Sequence, residues 1–359
     1  MKKLRNMMFV ILIIVGVISI AVGLLFNYYT SAVGGSNEKI EVLIEKESTN
    51  NKIAEVLKEK DLIRSTTFFK IYLKLFNIKN LKAGKYELHK EMPLKEIVDT
   101  LQEGNNYNEE EISLTFREGI NMRKIASIIA NGTNNSEEDV YKLLKDEEYL
   151  NELIKEYWFI TDNVKDNKLY YSLEGYLFPD TYRFTNKDVT VKEIFNKLIK
   201  KMDTVLTPLK EEIEKSDYNV HELLTLASMA EKEENKVSYR AKVVSVFINR
   251  LKKNMSLGSD VTTRYALKID DAKKVLKKSE YAYKSPYNTR ITDGTMNGKL
   301  PVGPISTVSE SSILAAVRPE ETDYLYFIAN INSNETFFFA KSSDFEKKKN
   351  ELSKVNGGL

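Results

Sequence analysis

Cysteine is absent from the 359-residue chain, which excludes disulfide scaffolds, thiolate-bound zinc, iron–sulfur clusters and thiol nucleophiles together. Histidine is nearly absent too. His89 and His221 are the only two, too few for a histidine-rich metal centre or a pair of imidazole bases. A charge surplus is also missing: 54 Lys and Arg face 52 Asp and Glu, a formal net charge of +2, whereas binding nucleic acid calls for a basic excess. No GxSxG elbow, P-loop, HExxH or GxGxxG occurs, so the familiar signatures of serine hydrolysis, phosphate cradling, zinc proteolysis and dinucleotide binding are all lacking. Chemistry, if there is any, must rest on carboxylates, hydroxyls, lysine or the backbone.

One charge-free run is present. After the basic residues 1–6, Met7 to Phe26 continues for 20 residues without a charge. That length spans a bilayer core and exceeds the apolar region of a cleaved signal peptide. Asn27-Tyr28-Tyr29 follows as an interfacial aromatic belt, and Lys2, Lys3 and Arg5 predict a cytoplasmic N-terminus with everything beyond residue 30 outside. No later stretch is long enough to span. The expectation is a single-pass protein of the cell membrane: tail 1–6, transmembrane helix 7–26, and a flexible linker 27–37 containing the small, polar Thr30–Asn37.

The remainder reads as α+β. A small module, 38–104, begins with the strand-like Ile40–Ile44. Ser48–Asn51 can cap a helix carrying Ile53, Val56 and Leu57, and Ser65–Phe76 is a second helical stretch. Leu81–Leu88 gives a turn and a short strand, then Pro93 opens a helix that Gly104 stops. A polar connector, Asn105–Glu110, leads to a larger domain, 111–359. There Ile112–Phe116 is strand-like, a helix follows around Ile125, Ile128 and Ile129, and mixed helix and loop run on to strands at Tyr324–Ile328 and Thr336–Ala340. Strands and helices fall in blocks instead of strict alternation, hence α+β.

A carboxylate closes an apolar helix. Asn219 and Glu222 make a capping-box start, and the helix runs through Leu223, Leu226 and Ala230 to Glu231-Lys-Glu233-Glu234. Glu233 continues the face of those three apolar residues, whereas Glu231 is turned about 200° from it at about 100° per residue and points elsewhere. A carboxyl against apolar walls holds its proton near neutrality, as a general acid requires. The plain alternative is a solvated, charged helix end.

Further blocks follow in order: Leu173-Glu-Gly-Tyr-Leu-Phe-Pro-Asp-Thr-Tyr182 upstream, then Leu226–Glu233, Val243–Leu251, Leu257-Gly-Ser-Asp-Val-Thr-Thr-Arg-Tyr265, Ser285-Pro-Tyr-Asn-Thr289, Leu300-Pro-Val-Gly-Pro-Ile305, Ala315–Pro319 and Tyr324–Phe327. Together, from the membrane anchor to about Phe345, they resemble the endolytic murein transglycosylases of the MltG (YceG-like) family. The resemblance implies an outward-facing lytic transglycosylase that cuts peptidoglycan glycan strands internally and leaves 1,6-anhydro-N-acetylmuramic acid ends. It implies a LysM-like, βααβ-type glycan-binding module at 38–104, and a catalytic domain in 111–359. Aligning the family's Glu motif places the acid on Glu233, with Glu231 in reserve. Partners would be glycan strands, the cytoplasmic membrane and cell-wall synthases, and the implied one-carboxyl mechanism calls for no metal and no organic cofactor.

The other blocks suggest the glycan groove. Ser259, Asp260, Thr262 and Thr263 offer short polar groups after the Gly258 turn. Tyr287 offers a stacking ring, and Asn288 and Thr289 offer an amide and a hydroxyl. Gly303, between Pro301 and Pro304, presents backbone. Glu174 is a further charged candidate, equally readable as a turn packed on the core. The chain departs from the family pattern at Gly258 and Val261, and Asn334–Phe337 lacks the family's histidine, so none of these positions receives a role. A membrane-tethered, non-catalytic peptidoglycan-binding scaffold is the second reading. A serine/lysine hydrolase lacks its signature.

Overall fold

The computed structural model describes residues 2–35, 38–104, 111–271, 274–330 and 332–355. The expected connector Asn105–Glu110 and linker residues 36–37 lie outside this set. The chain divides into two compact units, 1–111 and 112–359.

The first unit opens with α1 (Lys2–Thr30), whose apolar side chains from Met7 to Leu25 stand exposed. The stretch Met7–Thr30 is long and apolar enough to cross a membrane. The module follows as β1 (Ile40–Ile44), α2 (Asn50–Glu59), α3 (Thr66–Leu75), β2 (Gly84–Leu88) and α4 (Leu94–Glu103). Local chemistry sets these bounds. Thr49 and Ser65 cap α2 and α3 through their hydroxyls, Pro93 precedes α4, and Gly104 ends it at a φ of 74°, a conformation that costs glycine little. β1 and β2 pair antiparallel with Val42 opposite Tyr86. Ile53, Leu57, Phe69, Leu88, Ile97 and Val98 form the core beneath them.

The described part of the expected flexible linker 27–37 makes several contacts with the module. Helix α1 runs on to Thr30. Arg64 then donates to the carbonyls of Ala32 and Val33 at 2.7 and 3.3 Å. Its guanidinium lies 4.7 Å over the Tyr28 ring, and Gly34 N–H donates to the Lys90 carbonyl at 2.8 Å.

The second unit contains β3 (Ile112–Thr115), α5 (Met122–Gly132), α6 (Glu137–Leu143), α7 (Glu147–Glu156), β4 (Thr181–Phe184), α8 (Val191–Leu206), α9 (Lys210–Glu214), α10 (Val220–Glu233), α11 (Val237–Lys252), α12 (Asp260–Ala266), α13 (Lys278–Tyr281), α14 (Glu310–Val317), β5 (Tyr326–Asn330), β6 (Glu335–Phe339) and α15 (Ser342–Val355). Its strands form two separate antiparallel pairs, β3 with β4 and β5 with β6. The sequence pattern gave no sign of β4, which begins two residues after Pro179 and overlaps the end of the Leu173–Tyr182 motif. The mixed architecture agrees with the expected α+β class.

Helix α10 is the axis of this unit. The Asn219–Glu222 capping box forms as expected, each residue bonding the other's backbone. Every residue from Leu223 to Glu231 is buried, because α11 and α14 pack along it and α12 meets it as well. A helix enclosed on all sides has no single apolar face. The face argument that set Glu233 inward and Glu231 elsewhere therefore fails, and Glu231 is in fact the more buried of the two.

Candidate active site

Four consecutive residues at the end of α10 take four different positions. Glu231 is sealed in an ion pair. Its carboxylate lies 2.9 Å from Arg240 Nη2 and accepts from Arg240 Nη1 at 3.1 Å and from the amide and hydroxyl of Ser309 at 3.0 and 2.5 Å. Arg240 Nη1 also donates to the hydroxyls of Ser309, Ser311 and Ser312. Lys232 reaches the Gly119 carbonyl at 2.9 Å, tying the helix end to the turn between β3 and α5. Glu234 is buried and accepts from the Thr336 hydroxyl at 2.5 Å.

Glu233 differs from both neighbouring glutamates. It is partly exposed, and the Ser259 hydroxyl donates to its Oε1 at 2.5 Å. Burial of the carboxyl pushes its pKa up to about 7. The nearby charge of Asp260 adds to the rise, while the Ser259 hydrogen bond, Arg290 and Arg250 oppose it. What separates Glu231 from Glu233 is thus the charge partner and not the helix face. One carboxyl has its own buried guanidinium. The other keeps a proton available near neutral pH.

Ser259 is the N-cap residue of α12, and the groups expected to line the groove instead fix this serine. Ser259 N–H donates to Thr289 Oγ1 at 3.1 Å. Thr262 Oγ1 donates to the Ser259 carbonyl at 2.7 Å and bonds Thr289 Oγ1 at 2.8 Å. Thr263 Oγ1 donates to Asn288 Oδ1 at 2.6 Å, and the Asn288 amide closes on the Tyr281 and Tyr283 carbonyls. Thr262, Thr263, Tyr287, Asn288 and Thr289 are all 0 % exposed, so their polar atoms face each other and not a ligand. Tyr287 packs edge-on against Tyr265 and receives the Tyr170 amide at its hydroxyl. Its ring is closed to a sugar face.

Asp260 does reach the surface, where Arg290 Nε pairs with it at 3.0 Å. Gly303 belongs elsewhere. A Cβ there would meet His221 at 3.0 Å. His221 lies in the first turn of α10, 12 residues and about 18 Å from Glu233 at 1.5 Å per residue. His221 is tied to the Tyr176 hydroxyl and the Val302 carbonyl, beside a cavity of 650 Å³ that includes neither Glu233 nor Ser259. Glu174 also has a pKa raised to about 7 by burial. It is only 1 % exposed and accepts from the Met122 amide and the Tyr265 hydroxyl, so solvent and substrate do not reach it.

Sequence reasoning missed three arginines, Arg240, Arg250 and Arg290. Arg250 donates to the Leu257 and Leu325 carbonyls at 2.8 and 2.6 Å and holds the turn before Ser259. The only available signal was their place within or beside the motif blocks. Among the described residues no group of acidic, histidine or cysteine side chains is arranged to hold a metal.

The YceG-like family model matches residues 42–351. The chain is 37% identical over 303 residues to the endolytic murein transglycosylase of Bacillus subtilis (strain 168), covering 84% of this chain and 82% of that one. Its counterpart of the same name in Streptococcus pneumoniae serotype 2 (strain D39) is 29% identical over 339 residues, which span 90% of this chain and 60% of that one. The 2.6 Å crystal structure of a YceG-like protein from Listeria monocytogenes aligns with a TM-score of 0.61 at 36% identity, over 87% of this chain and 99% of that chain. With the family model matching most of its length, the chain belongs to the YceG-like family.

Proposed function

We propose that this protein is a membrane-anchored endolytic murein transglycosylase that cuts the bond between N-acetylmuramic acid and N-acetylglucosamine within glycan strands. The observation that carries the proposal is Glu233: a partly exposed carboxyl holding a proton near neutrality and steadied by Ser259. The names of the relatives support the same substrate class.

In this reading protonated Glu233 gives its proton to the glycosidic oxygen as the bond to C1 of the muramic sugar breaks. The sugar becomes oxocarbenium-like. Glu233, now ionised, takes the proton of the C6 hydroxyl while O6 closes onto C1. The carboxyl ends as it began, no water is consumed, and the product carries a 1,6-anhydro end. One carboxyl suffices because the nucleophile is intramolecular. Asp260 is held by Arg290 and serves as a charge that favours protonated Glu233 and as a polar contact for the glycan. Thr262, Thr263, Asn288 and Thr289 position Ser259. The module at 38–104, with its strand–helix–helix–strand order, would act as a LysM-like glycan-binding unit. The anchor would place the rest of the chain outside the cell membrane, beside cell-wall synthases.

Full-length protein incubated with purified glycan strands, followed by muropeptide analysis, tests the reaction. Anhydro-ended products are expected. Reducing ends would make it a hydrolase, and no cleavage would leave a binding scaffold.

A further inference from the structure

Helix α3 is apolar on two sides, but the module uses only one. Phe69, Tyr72 and Leu73 enter the core, while Ile71, Leu75 and Phe76 are left 45%, 64% and 54% exposed. Lys70, Lys74 and Lys79 stand exposed around them. Such a helix suits a site whose second apolar face is covered by something other than its own domain.

The anchor indicates what covers it. Tyr29 of α1 stacks on Phe68 with ring centroids 4.1 Å apart. Phe26, three residues earlier and the last of the charge-free run, stacks on Tyr72, four residues further along α3. The two helices therefore run in opposite directions where they meet, so the C-terminal end of α3 points back along the anchor. Tyr72 is followed on the same side by Phe76, with ring centroids 4.6 Å apart. At 1.5 Å per residue, Leu75 and Phe76 lie about 5–6 Å beyond Tyr72, level with Val22 and Gly23 in the charge-free run. The Arg64 contacts to Tyr28, Ala32 and Val33 hold this arrangement.

We propose that the end of α3, with Ile71, Leu75 and Phe76, is a wedge that inserts into the outer leaflet beside the anchor and docks the 38–104 module on the lipid surface. Lys70, Lys74 and Lys79 extend their stems along the wedge and carry their ammonium groups to lipid phosphates. The proposal rests on the membrane-anchored reading given above. It adds that the module is fixed at the headgroup layer and does not roam on a tether.

The lack of native cysteine makes the test direct. Single-cysteine variants of the full chain, Leu75→Cys and Phe76→Cys, are labelled with the fluorophore NBD and reconstituted in phosphatidylcholine–phosphatidylglycerol vesicles with or without doxyl-labelled lipid. Leu24→Cys, inside the span, reports the anchor, and Glu211→Cys, whose side chain is 89% exposed, reports water. The expected result is blue-shifted emission at positions 75 and 76, with lipid quenching severalfold above position 211 and approaching that at 24. Quenching at 24 but water-like emission at 75 and 76 overturns the wedge and leaves the anchor standing. Blue-shifted emission at 75 and 76 without lipid quenching also overturns it, since a protein surface would then cover the patch. No quenching at 24 refutes the anchored reading itself.

Discussion

Glu231 and Glu233 end the same helix with one lysine between them, yet they meet different surroundings. Glu231 faces a guanidinium, a backbone amide and a serine hydroxyl, whereas Glu233 receives one serine hydroxyl. Full pairing makes the first a structural strut. Incomplete compensation of burial makes the second a group that can exchange a proton near pH 7. Carboxylates this close in sequence thus differ in how fully their burial is compensated, and in the proposed reading the more buried one is not the acid.

The largest effect expected from breaking this contrast is on catalysis. Glu233→Gln keeps size and hydrogen-bond reach but has no transferable proton, so anhydro-muropeptide formation should fall about 100- to 10,000-fold with the fold intact. Activity surviving in that variant would remove Glu233 from the chemistry. Next is stability. Glu231→Gln leaves Arg240 buried without its counter-charge and should cost about 3 kcal/mol in denaturant unfolding, while activity per folded molecule is kept. A well-folded but inactive Glu231→Gln enzyme would exchange the two roles.

Smaller effects sharpen the comparison. The donating form of Glu233 is lost as pH rises through about 7, so kcat/KM should decline above that pH. Asp260→Asn removes a negative charge that favours the protonated acid, and the falling limb should move to lower pH. Ser259→Ala removes a hydrogen bond that favours the ionised form, and the limb should move to higher pH. A profile unchanged in both variants would separate the limb from Glu233. The smallest expected effect is on the pH dependence of folding. The folded pKa of Glu233 is raised, so the native state binds the extra proton, and stability should be lost as pH climbs from about 4.5 to 7. Partial exposure limits this to about 1 kcal/mol. Unfolding curves at pH 5 and 8 should show the loss in the native chain and its absence in Glu233→Gln.

What was legible in the sequence follows from the range of the forces involved. Ser65, Pro93, Gly104 and the Asn219–Glu222 pair act within one helical turn, so the helix ends at these residues stand where the sequence set them. The acidic motif is legible because charge at the end of an apolar helix is locally unusual. Its division of roles was not visible. Arg240 comes from the next helix and Ser309 lies 78 residues from Glu231. The same limit applies to Tyr287, Asn288 and Thr289. Residue type marks them as suitable for a sugar, but tertiary packing turns them toward Ser259 and the core. Gly303 packs against His221, at the opposite end of α10 from Glu233.

The position of Glu233 as the last residue of the 14-residue α10 has a consequence for the second half of the proposed cycle. The aligned peptide dipoles of a helix place partial negative charge at its C-terminus. After the proton has left, the new carboxylate faces this end of the macrodipole, at a cost of about 0.3–1 kcal/mol. That is less than one pKa unit at 1.36 kcal/mol per unit, and it acts when basicity is needed. The helix end makes the ionised acid readier to recover a proton from the C6 hydroxyl, so the geometry that restrains ionisation at the start also drives the carboxyl back to its donor state.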